Sequence, residues 1–351
     1  MRKVAWSLVA ALALGAGAPA LAADMAVKSP GAPVVAAPPN PWDIAFGAAV
    51  MNDYIFRGIT QSNHKPSVAA YFEPRYNLGK DLQLYAGISG ESISFPNRAA
   101  AEIDFYGGAR WTIGSVVLDS GFWYYYYPGG ECFNGAAFGA DCLANTGGLG
   151  VIPSTAVTIA GVIEGNVIKK DLSFWEVYFK PTWNVNDQLA LGLNESYTPS
   201  FLHSGAWGNY LSGTAKYTAP SSWAIGPFGW YISGEFGRQW LGTSDSFYGI
   251  PAGTPIATGG VTNGAYANGI PYKSYNTWNV GMGFTYKVFT LDLRYSDTNL
   301  SKGDCNAFTS DFTASGTTNV TAINPSGLGS RWCGAAFIAK LSADLTLGSL
   351  K

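Results

Sequence analysis

Charged residues recur two or four positions apart along much of this chain: Asp53 and Arg57, Glu73 and Arg75, Glu102 and Asp104, Glu176 and Lys180, Asp292 and Arg294. Glu91, Arg110, Asp119, Lys216 and Glu235 occupy the same parity within their own segments. In an extended chain that spacing puts every one of them on one face. A face of mixed charge is tolerated only where water or an opposite charge solvates it. Two chemistries follow. Rings of such groups orient ions and small polar solutes in a narrow pore, or they pair off and fill a closed interior.

Other candidates are weaker. A hydrolase needs a nucleophile with a base beside it, and the histidines are His64 and His203, each in an expected loop. His203 and Ser204 are neighbours in sequence, but adjacency does not make a nucleophile–base hydrogen bond, and no acidic partner is apparent. Both histidines read as solvated loop residues, and no enzyme activity, cofactor or metal site is expected. Gly147-Gly148-Leu149-Gly150 lacks the strand and helix of a phosphate loop. The run Trp123-Tyr124-Tyr125-Tyr126-Tyr127 could stack sugars, yet it ends a strand just before Pro128, where an interfacial girdle uses the same rings.

The elements that must carry these charges are strands. Val68, Ala70, Phe72, Pro74, Tyr76 and Leu78 alternate with Ser67, Ala69, Tyr71, Glu73, Arg75 and Asn77; the chain turns at Gly79 and returns with Leu82, Leu84, Ala86 and Ile88 opposite Gln83, Tyr85, Ser89 and Glu91. Ile103, Phe105, Trp111 and Ile113 likewise face away from Glu102, Asp104, Tyr106 and Arg110. Further pairs are expected near 171–198, 207–240 and 274–298, with first and last strands near 42–57 and 332–347. That is about twelve strands, aromatic and aliphatic on one face, charged on the other, which suits lipid outside and water inside.

Connection lengths agree. Turns near Gly79, Gly114, 185–187, 220–222 and 287–288 are short, while segments near 59–65, 95–101, 128–170, 199–206, 241–273 and 299–330 are long. In an even-stranded barrel this puts the short turns and both termini on one rim and the long loops on the other.

At the N-terminus Arg2 and Lys3 precede an apolar run from Val4 to Ala18 and then Ala20-Leu21-Ala22, the pattern of a secretory signal peptide over 1–22. Residues 23–41, with five prolines from Pro30 to Pro41, read as a periplasmic lead, and 42–351 as one barrel domain. Export to the outer membrane of a Gram-negative cell follows, with lipids and small polar solutes or ions as partners. Charged residues are 13% of the chain, low because half of each strand faces lipid, and loss of Arg2 and Lys3 leaves 19 basic against 23 acidic side chains. Nothing in that balance suits nucleic acid. The cysteines are even in number, and pairing neighbours predicts bridges Cys132–Cys142 and Cys305–Cys333 in an oxidising compartment.

The segments MNDYIFRGITQS, AEIDFYGGARW, VVLDSGFWYYYYPGG and SFWEVYFKPTW resemble signature segments of the TorF-type porins, a proteobacterial family of conserved hypothetical outer-membrane proteins. The resemblance spans most of the chain after residue 41, and its D-Y-x-F-R-G-x-x-Q-S core is its most specific part. The leader ADMAVKSP is similar to those of many alphaproteobacterial outer-membrane proteins. The resemblance implies an outer-membrane β-barrel with a pore role and no particular substrate. This chain departs from it in long inserts at 128–170 and 241–273. The combined expectation is a passive pore for small hydrophilic solutes; a closed barrel that binds or supports through its loops is the alternative, and an outer-membrane hydrolase a more distant one.

Overall fold

Alternation of large apolar and polar side chains draws the chain into twelve long strands, and in the computed structural model these close on themselves. The structure describes residues 41–134 and 167–350. The strands are β1 (Trp42–Met51), β2 (Ser67–Leu78), β3 (Leu82–Glu91), β4 (Glu102–Ile113), β5 (Val116–Tyr126) and β6 (Phe174–Asn184). They continue with β7 (Leu189–Thr198), β8 (Gly208–Thr218), β9 (Gly229–Leu241), β10 (Tyr275–Tyr286), β11 (Phe289–Thr298) and β12 (Ala336–Thr346). Each pairs antiparallel with its sequence neighbour. β1 closes the ring on β12 from Ala45↔Thr346 to Met51↔Lys340, so no edge is left unpaired.

The expected parity holds. Val68, Phe72, Ile88, Phe105, Phe122, Val177, Leu193, Phe236, Val280 and Leu293 point outward and are exposed, forming an apolar belt that water would not solvate and acyl chains would. Trp42, Trp183 and Trp223 stand exposed near the short-turn rim, where an aromatic ring suits headgroup depth. This is a transmembrane β-barrel. No helix of the described residues is long and apolar enough to cross a membrane.

Tyrosines on the inner face lie across glycines of the next strand. A Cβ on Gly87 would sit 2.3 Å from the ring of Tyr106, and one on Gly283 would sit 2.1 Å from the ring of Tyr231. Glycine at these positions therefore gives each inward ring a floor, which is how bulky side chains fit inside a narrow barrel.

Several boundaries differ from expectation. The first strand stops at Met51 rather than near 57, because the chain leaves the wall and turns into the lumen. The last begins at Ala336 rather than near 332. The connection expected as a three-residue turn at 220–222 runs from 219 to 228 and holds a 3-10 turn, Ser221–Trp223, and a bridge between Ile225 and Phe228. The loops also carry structure of their own: a helix, Lys302–Thr309, capped by the Ser301 hydroxyl, and a small hairpin, Ile250–Pro255 with Val261–Tyr266. The expected signal segment 1–22 and the lead 23–41 up to residue 40, together with Cys142 and Gly147–Gly150, fall outside the described residues.

Cys305 and Cys333 are joined as expected. Cys132 is also disulfide-bonded, and the Cys142 end of its expected bridge lies outside the described residues. With Cys305 and Cys333 separated by 28 positions in sequence, the loop-entropy relation gives the bridge roughly 3–4 kcal/mol against the unfolded chain. Replacing both by Ser is expected to lower the denaturation midpoint of the refolded barrel and to speed proteolysis within 299–335. An unchanged midpoint and digestion pattern would show the loop is held by its packing alone.

Candidate functional site

The segment between β1 and β2 carries the D-Y-x-F-R-G-x-x-Q-S motif, and it folds into the barrel as a plug. Ile55↔Thr60 and Phe56↔Ile59 pair as a miniature hairpin whose central residues, Arg57 and Gly58, have φ of 47° and 79°. Positive φ at both centres defines a tight two-residue hairpin turn, favourable for Gly and strained for Arg. The rest of the motif holds the hairpin in shape. Asp53 Oδ1 accepts from the Thr60 and Ser62 hydroxyls at 2.6 and 3.1 Å, the Ser62 hydroxyl accepts from the Tyr54 amide, and the Gln61 amide donates to the Tyr54 carbonyl at 2.7 Å.

Strain at Arg57 is offset by what its side chain reaches. Its two terminal nitrogens donate to the two Glu176 oxygens at 2.8 and 2.7 Å, and one also donates to Gln239 at 3.1 Å. The guanidinium lies over the rings of Phe56 and Tyr210, both at 4.6 Å. The Tyr125 hydroxyl donates to Glu176, and the Tyr275 hydroxyl donates to the Arg57 carbonyl at 3.2 Å. Arg57 is 4% and Glu176 2% exposed, so this is a bidentate ion pair out of reach of water. Asp53 and Arg57, expected on a strand lining a pore, thus belong to the plug instead.

Below it, towards the short-turn rim, charges pair across the strands. Arg110 donates to Glu73 at 2.9 and 3.3 Å and to Asp119 at 3.1 Å, while Arg75 donates to Glu73 at 2.6 Å and lies 3.8 Å from Asp43. The Tyr85 hydroxyl contacts both Asp119 and the Tyr178 hydroxyl. Lys180 stands directly opposite Asp119 in the β5–β6 ladder. On the far wall Tyr210 donates to Glu235 at 2.8 Å, Tyr231 donates to Asp292 at 2.7 Å, and Arg294 donates to Asp292 and to Ser233. Lys216 sits 4.1 Å over the Tyr231 ring. Glu91, Glu102 and Asp104 form a separate cluster near the plug, where the Tyr54 and Tyr127 hydroxyls donate to Glu102 at 2.6 and 2.8 Å. Burial, and then the nearby carboxylates, push both hydroxyls up, so they stay protonated donors.

Exposure grades along the axis. Side chains of Arg110, Asp119 and Asp43 are 26, 21 and 22% exposed, against 3% for Arg57 and for Glu176. Water therefore reaches part of the lumen at the short-turn end, where Glu73 and Arg75 are themselves 5 and 8% exposed, and the Arg57–Glu176 pair is shielded from it.

On the other side of the plug the loops line a cleft that is open to solvent. Phe56 and Tyr127 belong to its lining, with Phe174, Phe201, Tyr272 and Phe308 among the other rings around it. Mostly apolar, aromatic walls with a few hydroxyls are the kind of lining that small apolar or aromatic solutes favour. The aromatic run 123–127 contributes on both sides of the wall, because a period of two splits it. Tyr126 is exposed outside, as a girdle requires, whereas Trp123, Tyr125 and Tyr127 are buried inside. Trp123 stacks on Tyr106 at 4.0 Å and Tyr125 on Phe174 at 4.5 Å.

The histidines are partnered. His203 lies 3.4 Å from Asp171, an acidic neighbour that sequence adjacency did not reveal, but the Ser204 hydroxyl donates to the Phe201 carbonyl. His64 Nδ1 is 2.6 Å from Asp53, and its Nε2 is 3.2 Å from the Arg331 carbonyl, so the imidazole ties the plug to the last loop. The hydrogen bond with Asp53 holds the His64 pKa above its ordinary value. A raised histidine stabilises fully below its unfolded pKa of about 6.5 and loses that stabilisation as pH climbs through the raised value. Amides of residues 52–66 are therefore expected to exchange more slowly at pH 6 than at pH 8.5, after correction for intrinsic rates, and His64→Gln should remove the difference. Equal protection of the unaltered protein at both pH values would separate the plug from this titration.

Residues 35–160 match a family described as "Bacterial protein of unknown function (Gcw_chp)". No curated protein matches the sequence. Among solved structures the chain is similar to a Pseudomonas aeruginosa FadL homologue at 10% identity, covering 86% of this chain and 89% of that one, with a TM-score of 0.38. It is also similar to the Pseudomonas putida toluene transporter TodX at 10% identity, 88% and 89% coverage and TM-score 0.37. Similarity to the porin NanC is 8% in identity, with 87% and 100% coverage and TM-score 0.37.

Proposed function

We propose that this chain, exported by its signal peptide to the outer membrane of a Gram-negative cell, is a gated uptake barrel. Its loop-end chamber captures small, largely apolar or aromatic solutes, and the plug governs their passage into a polar lumen. The observation that carries the reading is the Arg57–Glu176 ion pair, which seats a strained hairpin across the lumen directly below an aromatic cleft. A hydrophilic pore that is open at rest fits less well, because Arg57, Arg75, Arg110 and Arg294 are all engaged by carboxylates and most of the inward carboxylates are buried. The two remaining features of the lumen, its charge and its wet short-turn end, suit release towards the periplasm once solute has crossed the plug. The resemblance to TorF-type porins supports a transport role through the same motif, whose residues build the plug.

Binding and permeation test this together. The refolded barrel, identified by a change in gel migration on boiling, is expected to enhance the fluorescence of an added naphthylamine probe. Phe201→Ala and Tyr272→Ala should each weaken that binding about tenfold, the order expected for truncating a ring in a buried pocket. Proteoliposomes should swell slowly in small sugars. Rapid swelling in sugars with no probe binding would replace the proposal with a constitutive hydrophilic porin.

A further inference from the structure

Glu91 ends β3 and Glu102 begins β4, and the ladder sets them directly opposite each other, with Ser89 opposite Asp104. Like charges in that relation repel. Here the ligand oxygens of Glu91, Glu102 and Asp104 all lie within 4.8 Å of one another. The three residues are 3, 2 and 0% exposed, so water does not screen them. Among the described residues no lysine or arginine forms an ion pair with any of the three. This separates them from Glu73, Glu176 and Asp292, each of which holds an arginine.

The partners that do exist are neutral hydroxyls, and they are unevenly shared. Both oxygens of Glu102 accept from tyrosines, and Asp104 Oδ2 accepts from the Ser89 hydroxyl at 2.9 Å. Glu91 Oε2 and Asp104 Oδ1 are buried without a hydrogen bond of good geometry, the Trp123 indole being the other polar group beside Asp104. A proton shared between two carboxyls would join one oxygen of each and leave the repulsion of the third. A cation held among the three would take up the orphaned oxygens and neutralise the cluster.

We infer that Glu91, Glu102 and Asp104 form a binding site for a hard divalent cation of the calcium class. The donor set is oxygen only, which selects such ions over zinc or copper, and Tyr54 and Tyr127 would orient Glu102 from behind. Tyr54 belongs to the plug and Tyr127 to the chamber lining, while the segment 92–101 joining the two glutamate strands brings Phe95 to the same chamber. The ion would therefore brace the junction of wall, plug and chamber. The inference stands on the cluster itself and does not depend on the gated-uptake reading.

The test uses the full-length barrel, refolded in detergent and stripped with a chelator. Terbium is expected to bind at one equivalent with emission sensitised by tyrosine excitation, and calcium should displace it. Glu91→Gln with Asp104→Asn should reduce terbium affinity at least tenfold, whereas Asp304→Asn, on the loop helix and outside the cluster, should leave it unchanged. Both substitutions in the pair remove repulsion, so folding should survive, and gel migration before and after boiling checks it. Calcium should also raise the thermal midpoint of the unaltered barrel and not that of the double variant. Terbium emission untouched by the double substitution, or no calcium effect on the unaltered protein, would overturn the site and leave a proton-sharing acidic cluster. Single-site Glu91→Gln gives the same decision if the double variant is recovered poorly.

Discussion

Glu176→Gln is expected to turn a quiet barrel into a conducting one. The substitution keeps shape and one hydrogen-bond acceptor but leaves the Arg57 guanidinium, 4% exposed, without its negative partner. Removing one member of a buried pair costs about 3–5 kcal/mol, which falls here on the seated plug rather than on the barrel wall. A shift of that size moves a docked equilibrium by roughly two to four orders of magnitude. The Arg57 φ of 47° adds to the effect, since the strain is tolerated only while the side chain is engaged. Planar-bilayer recording should show frequent openings in Glu176→Gln and rare ones in the unaltered protein. Arg57→Met combined with Glu176→Leu should restore the quiet state, because an apolar pair of similar volume removes both charges at once. A folded Glu176→Gln barrel as silent as its parent would show that the pair is structural and that solute does not pass the plug.

The barrel was legible because a period of two repeats over strands ten or more residues long, and each error in parity would have put a charge into the apolar belt. Glu73 and Arg75 on one strand, or Asp292 and Arg294 on another, leave little choice of face. What the alternation could not reveal is where the wall ends. Val50 and Met51 continue the strand pattern into Asp53 and Arg57 without interruption, and only the pairing of Ile55 with Thr60 shows that the chain has turned inward. A signal was present in Arg57-Gly58 between Phe56 and Ile59, two residues able to take positive φ between apolar flanks, but an arginine there reads more readily as a strand charge.

The lumen was legible in composition and not in pairing. Apart from Asp53 and Arg57, which belong to the plug, the expected inward carboxylates and cations stand on the inner face of their strands, yet whether they line water or one another depends on distances across the barrel. Glu176 and Arg57 are 119 residues apart in sequence and 2.7 Å apart in space. The tyrosines that complete the network, Tyr85, Tyr106, Tyr178, Tyr210 and Tyr231, stand on the same parity as the charges. Their rings fill the space between the charges, because a ring whose hydroxyl donates to a carboxylate displaces water from that side of it.

Reversing Arg75 and Arg110 together to Glu separates the two views of the lumen most sharply. If these side chains lined an open path, the change would leave the barrel intact and move its ion preference towards cations. In the structure they are the two arginines set among Glu73, Asp119 and Asp43, so reversal would gather five carboxylates at one level of the barrel. Glu73 is 3% exposed, and the Arg110 side chain at 26% keeps only partial contact with water, so screening would relieve little of this. The expected result is loss of folding: no shift in gel migration on boiling and little recovery from urea. Arg110→Gln alone should be milder, about 2–4 kcal/mol, since Arg75 still reaches Glu73 and the site is partly wet. Adding Glu73→Gln to Arg110→Gln should recover most of that loss, because the orphaned carboxylate is what makes the single change costly. A stable double-Glu barrel with altered reversal potential would instead place both arginines on a water-filled path and favour the open pore.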